Sequence, residues 1–382
     1  MTKILISDPL NDEGISILKG VKEFEVDIKT ELKPDELKAV IKDYHALIVR
    51  SATKVTKDII NAASQLKVIG RAGVGLDNVD LEAATNKGII VMNTPAGNTI
   101  STAEHTMSMM LALSRNIPSA DLSLKSGEWK RSKFMGVELY GKTFGVVGLG
   151  RIGTEVSKRA LSFGMKVIAY DPFLSKEVAN QLGIEIVELT DLFKMSDYIS
   201  VHAPLTDETR HLISDKEFAM MKEGVRIINC ARGGIIDEAA LLKALDSGKA
   251  AGAALDVFEK EPPDFSSPLL THKKVVVTPH LGASTEEAQV NVAIEVCQSV
   301  RDALLDKGIR NAANFPCLAA EVCALLQPYI TLGEKLGMLA GQLFEGRVRE
   351  LKITYTGEII KHDIAPLTMA IVKGLLSPIL QE

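Results

Sequence analysis

Short apolar runs alternate with amphipathic stretches along the first hundred residues. Strand candidates lie at 3–6, 23–29, 46–49, 66–69 and 88–92, and periodic polar-apolar segments such as 33–42 and 56–63 separate them. Alternation of strand and helix patterns predicts βαβ units and a parallel sheet. At 99–117 the pattern becomes one long helix rich in Met, Leu and Ala, with Asn98, Thr99 and Ser101 as candidate caps. A basic loop, 125–142, follows and carries the single tryptophan, Trp129. From Thr143 a second series begins, with strands expected at 143–148, 166–170, 198–202, 225–229, 252–256 and 275–278, the number in a full dinucleotide-binding fold. Another long helix is expected at 285–305.

Two long helices thus bracket the second sheet, which implies that one sheet domain is inserted into the other. The expected fold class is α/β: two doubly wound parallel-sheet domains, a Rossmann domain inserted into a flavodoxin-like substrate domain, and a small partial α/β extension at the C-terminus. The expected boundaries are 1–97 for the first part of the substrate domain, 98–284 for the Rossmann domain, 285–310 for the returning helix and 317–382 for the extension. Within the extension, 318–343 and 367–380 read as helix and 347–355 as strand.

Composition narrows the class. The chain has 382 residues, more than one ordinary core organises, and 46% hydrophobic with 24% charged residues is the balance of a soluble globular protein. A net charge of −5 gives no reason to expect nucleic acid or an acidic membrane as partner. Cys230, Cys297, Cys317 and Cys323 are scattered with no CxxC pair, which argues against a disulfide framework or a metal site and fits a reducing cytoplasm. The N-terminus reads as a first strand rather than a signal peptide, and no apolar run approaches the roughly 20 residues that span a bilayer.

The segment Thr143-Phe-Gly-Val-Val-Gly-Leu-Gly-Arg-Ile-Gly carries GxGxxG at Gly148, Gly150 and Gly153. A strand precedes it, a helix from 151 to about 162 follows, and the next strand ends in Asp171, 23 positions after Gly148 (171 − 148). The glycines permit a tight turn and close backbone approach, and the helix N-terminus offers N–H groups to a pyrophosphate. Asp171 would accept from the adenine ribose hydroxyls and repel a 2′-phosphate by ~1–4 kcal/mol at contact, which favours NAD over NADP. A second cluster, Gly70-Arg-Ala-Gly-Val-Gly-Leu-Asp, lacks this spacing and reads either as an anion-binding turn or as a plain structural one.

Three residues just past strand ends carry the candidate chemistry: Arg232 in Asn229-Cys-Ala-Arg, Glu261 in Leu255-Asp-Val-Phe-Glu-Lys-Glu-Pro, and His280 in Thr278-Pro-His-Leu-Gly. In a parallel sheet all three emerge at the carboxyl edge, where ligands bind. Oxidising an alcohol needs a base of histidine type, a carboxylate to orient it, and an arginine to fork onto a substrate carboxylate. Of the seven histidines, His45, His211 and His272 are expected to take no part in chemistry.

At these residues the chain resembles the D-isomer-specific 2-hydroxyacid dehydrogenases. The resemblance is carried by Val49-Arg-Ser-Ala-Thr, Gly70-Arg-Ala-Gly-Val-Gly-Leu-Asp, Val91-Met-Asn-Thr-Pro, Gly148-Leu-Gly-Arg-Ile-Gly, Asn229-Cys-Ala-Arg-Gly-Gly, Ala253-Ala-Leu-Asp-Val-Phe-Glu-Lys-Glu-Pro and Pro279-His-Leu-Gly-Ala-Ser-Thr, over residues 3–310. It implies that His280 is the acid–base, that Arg232 grips the substrate, and that Glu261 rather than Glu259 partners His280, since the family's acid directly precedes the proline. It places Asp256 near the nicotinamide. It also lines the cofactor with Arg151, Ile152, Asp171, Val74, Cys230, Ala231, Gly282 and Ala283, and puts the backbone of Gly73 and Val74 on the substrate carboxylate.

Arg50 and Arg71 end N-terminal strands, and two such arginines suit a phosphate, each worth about 1.5–3 kcal/mol, with Asn98 adding a polar contact. The expected substrate is therefore a phosphorylated 2-hydroxy acid, as in the subgroup of the family that serves serine biosynthesis, with no metal. Homodimers or homotetramers are expected, the segment Lys130-Arg-Ser-Lys approaching a neighbouring subunit. The rival readings are a glyoxylate/hydroxypyruvate reductase and an NAD-sensing protein like the corepressors that share this fold. Long members of the subgroup continue into an intervening and a regulatory domain, of which residues 318–382 read as only the beginning.

Overall fold

The computed structural model describes residues 1–315, 320–343, 350–362 and 364–377. The chain forms two compact units, Met1–Gly97 with Gln289–Glu382, and Asn98–Ala288.

The first unit is built on a five-stranded sheet of β1 (Thr2–Ile6), β2 (Phe24–Ile28), β3 (Ala46–Val49), β4 (Val68–Arg71) and β5 (Ile90–Met92), in the order β2-β1-β3-β4-β5. Every pairing is parallel, with Leu5 opposite Leu47 and Leu47 opposite Ile69. This is the flavodoxin-like order, whose topological switch point lies between β1 and β3. All four residues of β3 are buried, which is why the strand reads as an unbroken apolar run. One face packs on Leu37, Ile41, Ile59 and Ile60, and the other on Ile15, Leu18 and the helix Glu286–Leu304 through Val292, Val296, Cys297 and Val300. Gly70 permits that second contact, because a Cβ there would stand 2.7 Å from Val300 and 2.8 Å from Val296.

The second unit holds seven parallel strands: β6 (Thr143–Val147), β7 (Lys166–Tyr170), β8 (Glu185–Ile186), β9 (Tyr198–Val201), β10 (Val225–Asn229), β11 (Ala250–Leu255) and β12 (Val275–Val277). Their order, β12-β11-β10-β9-β6-β7-β8, is the dinucleotide-binding arrangement with one strand added at the β11 side, and its switch point lies between β6 and β9. The two-residue edge strand β8 is absent from the expected set, since so short a run has no readable periodicity.

The expected helix 99–117 is two helices, Thr99–Ser114 and Ile117–Lys125. Asn116 between them is left-handed (φ 54°), a conformation asparagine tolerates, and Pro118 fits only the first turn of the second helix. The expected side-chain caps at Asn98, Thr99 and Ser101 are not formed as such: Asn98 takes the cap position without a side-chain bond, and Ser101 Oγ instead lies 2.7 Å from Thr285 Oγ1.

In the C-terminal part, helices Ala320–Leu343 and Ala365–Leu376 pack through glycines. A Cβ at Gly337 would stand 2.0 Å from the Ile371 carbonyl oxygen, and one at Gly374 2.0 Å from that of Glu334. The strand expected at 347–355 is not found: 344–349 lie outside the described residues, and 350–355 have no ladder partner among them despite the alternation of Leu351, Ile353 and Tyr355. The last helix starts ahead of residue 367 because Pro366 is compatible with a first turn, while residues 378–380 lie outside the described ones. Among the described residues no helix is long and apolar enough to cross a membrane, and no group of three or more His, Cys, Asp or Glu is arranged to hold a metal ion.

Candidate active site

At the end of β6 the three glycines do different work. Gly148 turns the chain in the left-handed region (φ 94°) with the His202 carbonyl packed against it, 2.8 Å from where a Cβ would be. Gly150 opens on free space, so a ligand can approach the backbone there. Gly153 lets the helix Arg151–Ser162 lie on the strand, since a Cβ would stand 2.1 Å from the Gly148 carbonyl oxygen. Gly150 caps that helix without a side chain, leaving the first-turn amides as donors for an anion. At the end of β7, Asp171 braces the turn: Oδ2 accepts from the Leu149 amide and Oδ1 from the Phe173 amide, both at 2.8 Å. Each oxygen keeps lone-pair capacity for ribose hydroxyls. These residues fit a dinucleotide.

The loop after β9 completes this edge, and sequence reasoning passed over it. His202 Nε2 lies 2.9 Å from Ser200 Oγ, while its Nδ1 is shielded from solvent and has no protein partner. Burial pushes this imidazole down to about 4, so it is neutral at physiological pH. The signal was the placement of His202 at the carboxyl end of a strand next to the switch point.

Past β10, the Asn229 side chain folds the turn, its Nδ2 donating to the Arg232 carbonyl (2.9 Å) and its Oδ1 accepting from the Ala231 amide (3.0 Å). Arg232 Nη1 donates to the Ala231 carbonyl at 2.7 Å. Gly233 brings this turn against the 258–259 backbone, where a Cβ would stand 1.7 Å from the Phe258 carbonyl oxygen. Cys230 in the same turn is an inert thiol, pushed up to about 12 chiefly by burial and also by the nearby Asp256 charge.

His280 Nδ1 stands 2.7 Å from Glu261 Oε2, while Glu261 Oε1 accepts from the Phe258 amide at 3.2 Å. Burial pushes the Glu261 carboxyl upward, but the hydrogen bond and charge of His280, the Phe258 amide and the charge of Arg232 outweigh it and hold the group below the usual range. Glu261 is therefore an anion at neutral pH. Glu259 turns away, its carboxylate 3.1 Å from the Glu238 amide and 3.2 Å from His211 Nε2.

His280 itself has left-handed backbone (φ 56°), which costs a non-glycine residue about 1–2 kcal/mol and requires strong surrounding constraints. Asp256, buried just past β11, supplies them. Its carbonyl accepts from the His280 amide (2.9 Å), Oδ1 from the Leu281 amide (2.7 Å) and Thr278 Oγ1 (2.6 Å), and Oδ2 from the Gly282 amide (2.8 Å). Asp256, expected beside the nicotinamide, thus has both carboxylate oxygens occupied by the loop that bears His280. His105, from the helix Thr99–Ser114, lies 3.2 Å from Asp256 Oδ1 and 3.1 Å from Thr278 Oγ1. Sequence reasoning missed it; its signal was a polar stripe of Thr102, His105 and Thr106 at helical spacing in an apolar helix.

In the first unit, Arg50 and Arg71 stand at the carboxyl ends of β3 and β4. Asp8, buried just past β1, accepts from the Arg50 amide at 2.5 Å, the Thr53 amide at 3.2 Å and the Thr53 hydroxyl at 2.7 Å. Asn78 Nδ2 ties the Arg50 and Thr53 carbonyls at 2.6 Å each. Arg50 Nη1 donates to the Pro9 carbonyl (3.1 Å), while its buried Nε has no partner. The Arg71 guanidinium lies over Gly73 (φ 148°), where a Cβ would be 1.8 Å from Nη1. The Gly73 amide donates to the Arg71 carbonyl (3.0 Å), so it is occupied within its own turn, and Asn93 Nδ2 holds the Val74 carbonyl at 2.6 Å. Asn98, in the second unit, has a buried side-chain oxygen without a partner.

A model of the D-isomer specific 2-hydroxyacid dehydrogenase NAD binding domain matches residues 107–282, and one of the D-3-phosphoglycerate dehydrogenase intervening domain matches 325–382. The chain belongs to the D-isomer specific 2-hydroxyacid dehydrogenase family. It is 51% identical over its full length to D-3-phosphoglycerate dehydrogenase of Methanocaldococcus jannaschii, covering 72% of that protein. It is 46% identical over 99% of its length to D-3-phosphoglycerate dehydrogenase of Bacillus subtilis, covering 71%. Among solved structures it is similar to D-lactate dehydrogenase from Aquifex aeolicus complexed with NAD and lactic acid, at 30% identity and a TM-score of 0.73, over 82% of this chain and 99% of that one. A glyoxylate reductase from Paecilomyes thermophila matches at 30% identity and a TM-score of 0.75, over 82% and 98%.

Proposed function

We propose that this chain oxidises D-3-phosphoglycerate to 3-phosphohydroxypyruvate with NAD. The observation that carries the reading is the His280–Glu261 pair at 2.7 Å beside Arg232, on the same sheet edge as a complete dinucleotide turn. The turn of Gly148, Gly150 and Gly153 would hold NAD, which would supply the acceptor for the hydride of the alcohol carbon. His280 Nε2 takes the hydroxyl proton as that hydride leaves. Glu261, ionised at neutral pH, keeps Nδ1 protonated and stabilises the imidazolium that forms. Arg232 forks onto the substrate carboxylate and polarises the reacting oxygen. Asp171 holds the ribose and disfavours a 2′-phosphate. Arg50 and Arg71, with the turn at Gly73 and Val74 and with Asn98, hold the phosphate and carboxylate of the substrate.

The phosphate preference separates this reading from a glyoxylate or lactate enzyme. NAD reduction, followed optically, is expected to be fastest with D-3-phosphoglycerate in a panel of 2-hydroxy acids. Faster oxidation of D-glycerate or D-lactate refutes the phosphate assignment, and tight NADH binding without any turnover favours a sensing protein.

The enzyme works as a homo-oligomer. The helix Ile117–Lys125 and the following arm expose Leu122 (70%), Trp129 (78%), Met135 (84%) and Tyr140 (78%) next to Lys130, Arg131 and Lys133, an apolar and basic surface suited to a second copy. Sedimentation is expected to give a dimer or tetramer, and a monomer for Trp129→Glu. A reducing cytoplasm suits the buried free thiols Cys230 and Cys297.

A further inference from the structure

Nothing in the mechanism above uses His105, yet it meets the group that holds the catalytic loop. Its Nε2 faces two oxygens, Asp256 Oδ1 at 3.2 Å and Thr278 Oγ1 at 3.1 Å. The hydrogen-bond pattern assigns its proton. Thr278 has a single hydroxyl hydrogen, and the 2.6 Å contact commits it to Asp256 Oδ1. Toward His105 the Thr278 oxygen can then only accept, and the carboxylate always accepts, so Nε2 must carry a hydrogen shared between them. The neighbouring turn of the same helix adds a further tie, Thr102 Oγ1 donating to the Gly282 carbonyl at 3.0 Å.

Asp256 is thereby a hub whose donors come from both sides. His105 reaches it from the helix, and Thr278, Leu281 and Gly282 from the loop, while the Asp256 carbonyl takes the amide of His280 itself. Burial alone would push this carboxyl upward, but the hydrogen bond from His105, then those from Thr278 and Leu281, hold it below the usual range, so the hub is an anion. Without the Nε2–H donor, Oδ1 keeps only loop partners, and the Thr102–Gly282 bond is left to tie the loop to the helix, away from the Asp256 carboxylate. The left-handed backbone at His280 then has fewer constraints on where its ring points.

We propose that His105 is a positioning residue for the dehydrogenase reaction: through Nε2–H it fixes Asp256 and Thr278 against the helix, and so sets the backbone from which the His280 imidazole reaches the substrate hydroxyl. This rests on the role given to His280 above. Proton transfer requires the ring nitrogen within hydrogen-bond reach of the oxygen, so a small displacement lowers the rate of the chemical step and leaves binding of either substrate almost untouched.

The test compares His105→Gln, whose amide nitrogen can stand where Nε2 stands, with His105→Asn, whose amide nitrogen falls short of that position, and with His105→Leu. Steady-state kinetics with NAD and D-3-phosphoglycerate are measured for each, together with the isotope effect of deuterium on the carbinol carbon. The expected result is a kcat about tenfold lower for His105→Asn and His105→Leu, KM values within twofold of the unaltered enzyme, a larger isotope effect, and recovery of most of kcat in His105→Gln. Two results overturn the proposal: unchanged kcat in all three, or a loss in His105→Gln equal to that in His105→Leu. Circular dichroism confirms that each variant is folded before it is compared. If the unaltered enzyme reduces NAD with no 2-hydroxy acid, the proposed function fails first, a result separate from either of these.

Discussion

In the first sheet the buried carboxylate of Asp8 takes the amides of Arg50 and Thr53. In the second, the buried carboxylate of Asp256 takes those of Leu281 and Gly282, while its carbonyl takes that of His280. Each aspartate follows a strand and roots the loop that presents a candidate functional side chain, and each collects at least three donors, as a buried carboxylate must. They differ in completeness. Asp8 fixes Arg50 at one amide, and the long side chain beyond is tied through Nη1 to the Pro9 carbonyl while its Nε has no partner. Asp256 fixes both sides of His280, and Glu261 fixes the ring beyond. The contrast fits the tasks proposed for them: a guanidinium gripping a phosphate tolerates some freedom, whereas a proton-transferring nitrogen must be held in narrow bounds.

The largest effect should come from removing the held group. His280→Ala is expected to lower kcat by about 10²–10⁴-fold with NADH binding, measured by fluorescence titration, unchanged. Weakened NADH binding in that variant would make His280 a cofactor residue instead. Arg50→Ala and Arg71→Ala should each raise KM for D-3-phosphoglycerate about 10- to 100-fold, with little change for D-glycerate. Equal losses on both acids would remove the phosphate from the account.

The two anchors can be set against each other with Asp256→Asn and Asp8→Asn. An amide nitrogen cannot accept a backbone N–H, so each variant should lose about 1–3 kcal/mol of stability by thermal unfolding. Their kinetics should diverge: kcat falls in Asp256→Asn, while in Asp8→Asn KM rises a few-fold and kcat holds. Identical kinetic signatures would break the comparison. Since the folded Asp256 carboxyl is held below its usual range, its contribution is fully present above about pH 4 and is lost as pH falls through the lowered folded value, so the stability gap to Asp256→Asn should narrow only in acid. Among the smaller effects, Asp171→Ala should weaken NAD about tenfold and relax the rejection of NADP, and an unchanged coenzyme preference would refute its role.

What could be read from the chain was whatever a local pattern determines. The buried parallel strand β3 is an unbroken apolar run, and the fingerprint glycines keep fixed spacing because each does a separate job in the turn. Neither the break at Asn116 nor the two-residue β8 has a periodic signature. Asp8, His105 and His202 were passed over for another reason: their meaning lies in partners distant in sequence, Asp8 with Arg50 at 42 residues and His105 with Thr278 at 173. The choice between Glu259 and Glu261, two positions apart, also becomes geometric only once the 258–261 turn folds and Glu259 meets His211.

The most direct test is a crystal structure with NADH and 3-phosphohydroxypyruvate bound. His280 Nε2 is expected within hydrogen-bond distance of the substrate keto oxygen, with the Nδ1–Glu261 contact kept, Arg232 on the substrate carboxylate, and Arg50 and Arg71 on the phosphate. A structure in which His280 and Arg232 stand away from the nicotinamide ring would contradict this expectation.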